Sequence, residues 1–370
     1  MKLVGLLEEV TVSDELHRAL SAHHGLERRL IVQSSGIPLR LITWLSAMTL
    51  GIAACTSEDT LTEPSAEASS ARAVGKTYTA VDLGTLGGNF SQAFGINPRG
   101  QVVGWSSTAQ GDFHAFLWEK GVMTDLGTLF GGDGVATGIN PAGQVVGHSA
   151  GHPFVWSKEV VTDLGTLGGS HAFASGINPA GQVVGTSATT SEGPFHAFLW
   201  NKGIKTDLGT LGGTDTWAYG INPAGQVVGS SRTAGGQQHA FFWAKGVMTD
   251  LGTLYGSYSL ARGINPAGQV VGVSDGRAFI WQKGVMTDLG TLGEDYSEAF
   301  GINPAGQVVG SSLTADGAAH AFLWEKGIMT DLGTLGGARS DATGINPAGQ
   351  VVGSSQTAAG EFRATLWTRN

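Results

Sequence analysis

Two sets of side chains could carry chemistry. His114, His152, His196, His239 and His320 each open or nearly open an aromatic stretch, and Asp82, Asp125, Asp163, Asp207, Asp250, Asp288 and Asp331 each begin Asp-Leu-Gly-Thr-Leu or its equivalent. Imidazoles bind a metal ion when two to four of them converge within bonding distance. A ring of carboxylates facing a channel could likewise hold a cation. Against both readings stands the recurrence itself, because a group present in every copy answers a need of every copy, whereas a catalytic site normally needs asymmetry. Arg277 and Arg363 stand at the His position in two copies, and Arg is a poor metal ligand. The histidines are therefore expected to bond neighbouring backbone, and each Asp to accept hydrogen bonds from backbone or Thr hydroxyls and lock its own unit. No metal and no other cofactor is expected.

These residues belong to a repeat that occupies most of the chain. Successive Asp-Leu-Gly-Thr-Leu segments lie 43, 38, 44, 43, 38 and 43 residues apart. Gly-Gln-Val-Val-Gly begins at Gly100, Gly143, Gly181, Gly225, Gly268, Gly306 and Gly349, and a third element ends at Trp118, Trp156, Trp200, Trp243, Trp281, Trp324 and Trp367. A period of about 40 to 45 residues, rich in short strands and turns, is that of a four-stranded propeller blade. In Asn-Pro-Ala-Gly, Pro presets φ, Asn can bond back to the turn backbone and Gly takes the left-handed position. The segment after Trp, as in Glu119-Lys120-Gly121, reads as a three-residue hairpin loop with Gly at positive φ. Four strands per unit follow. The seven Trp residues are expected to pack between blades.

The ends of the array are complementary. It opens at Tyr78-Thr79-Ala80-Val81-Asp82 without a preceding aromatic strand and finishes at Ala364-Thr365-Leu366-Trp367 without a following Asp-Leu-Gly-Thr-Leu. Each end holds the half that the other lacks. The predicted fold is all-β: a seven-bladed β-propeller of four-stranded blades over 77–370, closed by pairing of its N- and C-terminal strands. A β-solenoid is the alternative, although it would not need complementary ends.

His-Ala-Phe-Leu-Trp, Asp-Leu-Gly-Thr-Leu-Gly-Gly and Gly-Ile-Asn-Pro-x-Gly-Gln-Val-Val-Gly together resemble the HAF-repeat family of bacterial extracellular repeat proteins, over Tyr78 to Trp367. Departures are Pro153, Phe242 and the two Arg residues at His positions. The resemblance implies export and a propeller-like fold, and brings no assigned reaction or ligand.

Residues 1–75 do not share the repeat. Leu41 to Ala54 is largely apolar, follows Arg40 and ends in Ile52-Ala53-Ala54-Cys55. As a helix it would rise about 21 Å, too short for a hydrocarbon core of about 30 Å, so 41–55 reads as a signal-peptide core. Its end resembles a bacterial lipobox, with Cys55, the one cysteine of the chain, as the lipidation site and membrane anchor. Residues 56–76 are rich in Ser, Thr, Ala and Glu and read as a disordered tether. Residues 1–40 are too long and charged for an ordinary signal n-region. A misplaced start codon explains them, with a genuine cytoplasmic extension as the second reading.

Gly makes up 59 of 370 residues and the net charge is −9. No Lys/Arg run interrupts the repeats, so no nucleic-acid partner is expected. Recognition is expected instead where copies differ, in the segments after Asp-Leu-Gly-Thr-Leu. Phe90, His171, Asp215, Trp217, Tyr258, Glu294, Asp295, Tyr296, Arg339 and Asp341 are the candidate binding residues, and their segments should share one face. Their mixture of aromatic and acidic groups suits an unknown glycan or protein ligand. The sequence contains no GxSxG elbow, HExxH, phosphate loop or DxDxDG loop, so no catalytic residues are assigned. The functional expectation is an exported, lipid-anchored, monomeric binding or scaffold module at the outer membrane, cell surface or extracellular space. The alternative is a secreted polysaccharide hydrolase or lyase with carboxylates assembled across the face.

Overall fold

The computed structural model describes residues 77–128 and 131–370, so the extension, signal-peptide core, Cys55 and the tether to residue 76 lie outside the described residues. The chain enters with β1 (Tyr78–Asp82) and then makes its first four-strand unit from β2 (Gly87–Ile96), β3 (Val102–Thr108), β4 (Phe113–Glu119) and β5 (Val122–Gly127). Neighbouring strands are antiparallel, in the order β2-β3-β4-β5. The described residues contain seven such four-stranded sheets, a seven-bladed β-propeller. The last is made by β26 (Gly336–Ile345), β27 (Val351–Thr357), β28 (Phe362–Arg369) and β1. Tyr78 pairs with Arg369, Ala80 with Trp367 and Asp82 with Thr365. The expected closure is thus present, and the ring is complete within residues 77–370, with every blade paired and the first and last strands joined.

Each blade interface has its own core. Between the third and fourth blades, Val184, Ala197 and Leu208 meet Ala218, Val227 and Phe241, all buried. The paired valines of Gly-Gln-Val-Val-Gly alternate across the pleat, so one faces each neighbouring blade. The glycine after them is fixed by space: a Cβ on Gly104 would lie 1.9 Å from the Gln92 carbonyl oxygen, where the inner strand bulges. At the axis, Gly95 of β2 faces Gly138 of the next blade, and a Cβ there would stand 3.3 Å from its Cα.

The Asn of each Asn-Pro turn does more than cap it. Asn97 Oδ1 accepts from the backbone N–H groups of Arg99 and Gln101, as the turn chemistry predicts. Its Nδ2 donates to Gln101 Oε1 and to the Asn140 carbonyl of the next blade. The pattern continues through Asn140, Asn178, Asn222, Asn265 and Asn303 to Asn346, whose Nδ2 returns to the Asn97 carbonyl, with donor–acceptor distances of 3.1–3.3 Å throughout. All seven residues are buried. Every donor and acceptor of each side chain is therefore used.

One local expectation changes, and the packing of the tryptophans between blades holds with differences in exposure. The hairpin after Trp is a two-residue loop, since Glu119 pairs directly with Val122. Both loop residues take positive φ, 48–52° at the six lysines Lys120, Lys158, Lys202, Lys245, Lys283 and Lys326, each followed by Gly except Lys158, which Glu159 follows at 66°. This is a type I′ turn, favoured because its twist matches the strands, but its first position suits Asn and costs a lysine roughly 1 kcal/mol. The following Val122, Val160, Ile204, Val247, Val285 and Ile328 are 61–71% exposed. Among the repeat tryptophans only Trp367 is fully buried, while the other six pack at blade interfaces with one side open. Trp367 differs because β1 and Tyr78 cover it at the seam.

Replacing Asn222 by Asp keeps the acceptor that closes its turn and removes both donors. A loss of about 1–3 kcal/mol is expected in urea unfolding, and unchanged stability would remove the ring of amides as a source of cohesion.

Candidate functional site

The blade pattern gives the propeller two unlike ends. Because β3 is antiparallel to both β2 and β4, the β2–β3 and β4–β5 hairpin turns share one end. Both turns repeat with little change around the ring. At the other end lie the β3–β4 loops, which vary in length, and the starts of the inner strands, which vary in sequence. The varied segments after Asp-Leu-Gly-Thr-Leu form the first part of the inner strand in four blades, as in β2. Bridges such as Leu86 with Thr108 and Leu292 with Thr314 tie them to the β3–β4 loops.

The candidate residues divide into several groups at this end. Phe90 packs against Trp105 and Phe113, with ring centroids 5.4 and 6.0 Å away. His171 is half-buried, with Nδ1 2.7 Å from Ser170 Oγ. Asp215 accepts from the Phe195 N–H and the Thr214 hydroxyl and lies 3.5 Å from Arg232 Nε. Trp217 is half-buried on the inner strand opposite Ser230. Tyr258 is half-buried, its N–H directed to Asp275 Oδ1. Glu294 and Arg339 are exposed, as is Asp295, 3.7 Å from Arg277 Nη1. Asp341 accepts from Ser354 Oγ.

Tyr296 leads to a cluster that sequence reasoning missed. Its hydroxyl donates to Glu298 Oε2 at 3.1 Å, and Glu298 Oε1 accepts from Arg262 Nε and Nη2, both at 2.9 Å. The Arg262 guanidinium stands 4.9 Å from the Tyr219 ring centre and 5.6 Å from that of Phe300. Glu298 is buried and the pair links the fifth and sixth blades. The signal was available at the residue directly before Gly-Ile-Asn, which reads Phe94, Thr137, Ser175, Tyr219, Arg262, Phe300 and Thr343 around the ring. Small hydroxyls there bond the next blade, as Thr343 Oγ1 does to the Ala93 carbonyl.

The repeated histidines and aspartates pair with each other. His114, His152, His196, His239 and His320 place Nδ1 2.7–3.1 Å from the Asp eleven residues later. The backbone partner expected for His is replaced by a carboxylate. Where Arg stands instead, Arg277 Nε reaches Asp288 at 3.0 Å and Arg363 Nε lies 3.8 Å from Asp82. The other oxygen of every such Asp accepts from the N–H of the following Gly at 2.7–2.8 Å. These carboxylates sit on outermost strands, so they do not converge on the axis. The axial cavity of about 220 Å³ is lined by the Gly-Ile pairs with Thr137 and Ser175.

Two carboxylates have displaced pKa values. For Asp275 burial works against ionisation, but hydrogen bonds from the Gly256 N–H, the Ser274 hydroxyl and the Tyr258 and Tyr255 N–H groups outweigh it and hold the pKa low. Asp316 is lowered by the Thr314 hydroxyl and then by the Ala318 N–H. Both shifts oppose what a general acid requires.

No protein-family model and no curated protein sequence matches the chain. Among solved structures, the β-propeller domain of the Trilobed protease from Pyrococcus furiosus, with an open velcro topology, aligns over 75% of this chain and 95% of its own, at 11% identity and a TM-score of 0.52. TolB from Acinetobacter baumannii aligns over 76% of this chain at 14% identity and a TM-score of 0.42, and the chain spans 65% of that protein. The acylaminoacyl peptidase of Pyrococcus horikoshii aligns over 74% of this chain and 52% of its own, at 11% identity and a TM-score of 0.47. At such identities the likeness to the first concerns the propeller fold alone.

His148 is a second buried titratable group, in addition to Glu298. It lies between the second and third blades, edge-on to Phe173 at 5.0 Å, and neither ring nitrogen makes a hydrogen bond. Burial pushes its pKa down to about 4, with a small opposing effect from the nearby Ala174 carbonyl. The unfolded chain, titrating near 6.5, takes up the proton first as pH falls. Stability should therefore be complete above about pH 6.5 and fall by roughly 3 kcal/mol on the way down to about pH 4. His148→Leu should flatten that part of the pH–stability curve; parallel curves for the two proteins would exclude His148 as its cause.

Proposed function

We propose that the chain is an exported ligand-binding or scaffold module of the bacterial cell envelope, lipid-anchored through Cys55, that takes a glycan or peptide on the varied end of the propeller. The observation that carries this reading is the confinement of sequence variation to one end of a ring whose other end repeats. Its inner strands carry the aromatic Phe90 and Trp217 together with the acidic Asp215, Glu294 and Asp295, spread over three blades. Aromatic faces with a few placed carboxylates suit sugars and peptides. Export rests on the HAF-repeat resemblance and the lipobox-like end of 41–55.

The hydrolase or lyase reading has less support. Glu294 and Asp295 are open to water, and Asp215 is committed to Arg232 and two hydrogen bonds. Paired carboxylates of a glycosidase face each other across the scissile bond within about 10 Å, and here Asp215 and Asp295 belong to the fourth and sixth blades.

Residues 76–370 screened against envelope glycans and peptides should yield a ligand whose affinity falls at least tenfold with Trp217→Ala. A complete absence of ligands, or product release from a polysaccharide, would replace the binding reading. Separately, Cys55→Ser should release the full chain from membranes; attachment that persists without acylation would remove Cys55 as the anchor.

A further inference from the structure

The charges of the propeller are sorted between its ends. Six of the seven lysines among the described residues, Lys120, Lys158, Lys202, Lys245, Lys283 and Lys326, lie on the hairpin turns, while Lys205 on an outer strand turns its ammonium to the Gly165 carbonyl and the Phe198 ring. Arg99 on the first Asn-Pro turn and Arg369 at the end of β28 add to them. The carboxylates flanking these turns are Glu119, Glu159 and Glu325, while the seven Asp-Leu-Gly aspartates terminate or follow the outer strands at the opposite end. A chain of net charge −9 thus presents one cationic face.

That face is also apolar in a regular way. Each turn lysine is followed, after one residue, by an exposed Val or Ile, and the inner turns present exposed Pro with Ala in six blades and Pro with Arg99 in the first. Aliphatic tips beside lysines, set around one end of a ring, match the boundary of an anionic bilayer, where headgroups meet the ammonium groups and acyl chains meet the side chains between them. The lysines hold positive φ at the one turn position that Asn would occupy with less strain, six times over. Turn formation alone does not account for them. The entry point agrees as well: Tyr78 pairs with Arg369, so β1 begins at this same end and any anchor preceding it joins the ring on this side.

We infer that the hairpin-turn end of the propeller is a membrane-contact face that seats on anionic phospholipid. The occupant is a lipid surface because a lysine and an exposed aliphatic side chain recur together on six turns spaced around the ring instead of clustering at one place. The varied, acidic end then points away from the bilayer. This inference does not require Cys55 to be acylated or a ligand to bind.

The test uses residues 76–370, which contain the complete closed ring and lack the apolar run at 41–54. Flotation is measured with vesicles of phosphatidylcholine alone and of an equimolar mixture with phosphatidylglycerol. Binding is expected to the mixed vesicles alone and to be lost at about 0.5 M salt. A variant carrying Lys120→Asn, Lys202→Asn, Lys245→Asn, Lys283→Asn and Lys326→Asn places Asn-Gly in five type I′ turns, so its melting temperature should be kept or raised. Its partition onto mixed vesicles should fall by more than about a hundredfold, whereas Lys→Arg at the same five positions should retain it. Equal binding by the Asn variant, equal binding to neutral vesicles, or capture by an anionic polysaccharide with no vesicle binding would each overturn the inference. Should the Asn variant fail to fold, the salt and lipid dependence of the parent protein decides.

Discussion

Seven buried amides hold this ring at its axis. Each Asn of the Gly-Ile-Asn-Pro segments spends its two acceptor sites on its own turn and its two donors on its own Gln and the neighbouring blade. A buried amide with any of these unmet would cost free energy, so the arrangement holds only when every blade is present and adjacent. The circuit closes between Asn346 and Asn97, across the same seam where β1 pairs with β28. Closure is therefore enforced twice, at the axis by side chains and at the rim by a sheet.

The repetition follows from that constraint. Inner strands that converge on an axis leave little room for a Cβ where neighbouring backbones approach, hence Gly before Ile in every copy, and the bulge that turns each strand inward crowds the last Gly of Gly-Gln-Val-Val-Gly. The Asp-Leu-Gly-Thr-Leu segment crosses from the rim of one blade to the axis of the next. Its first Leu is buried between blades, its Asp is pinned by His or Arg, and the Ser after Gly-Gln-Val-Val-Gly takes its second Leu N–H, as Ser106 does for Leu86. Once these positions are fixed, freedom remains at the start of the inner strand, in the β3–β4 loops, and at the residue before Gly-Ile-Asn.

Much of this was legible in the sequence because a repeat exposes its own rules. Blade number, strands per blade, the Asn-Pro turn and the closing seam could all be read from Tyr78 to Trp367. What could not be read were contacts between residues far apart in sequence but equivalent in the repeat. Six links of the amide circuit join Asn residues 38 to 44 apart and the closing one spans 249, and no local pattern distinguishes such a donor from one facing solvent. The His–Asp pairs are hidden for a similar reason: their eleven-residue spacing spans a hairpin of two loop residues where the sequence suggests three, which shifts the partner by a position. The Arg262–Glu298 pair lies at the blade interface, where one position of the inner strand faces forward and another faces back, so it becomes visible only when both are compared across copies.

The two ends of the propeller differ because different parts of the repeat meet them. Hairpin turns are short and their chemistry is dictated by backbone conformation, so that end stays nearly sevenfold. A surface with near rotational symmetry cannot orient an irregular ligand, since each blade offers the same partial site, but it suits an isotropic partner for which only charge density and apolar depth matter. The opposite end breaks the symmetry at the starts of the inner strands, where Phe90, Asp215, Tyr296 and Arg339 stand at equivalent positions. Recognition of a shaped molecule needs that asymmetry. The same closed ring thereby presents a uniform surface and an individual one, and the sequence changes that individualise it lie at positions the amide circuit leaves free.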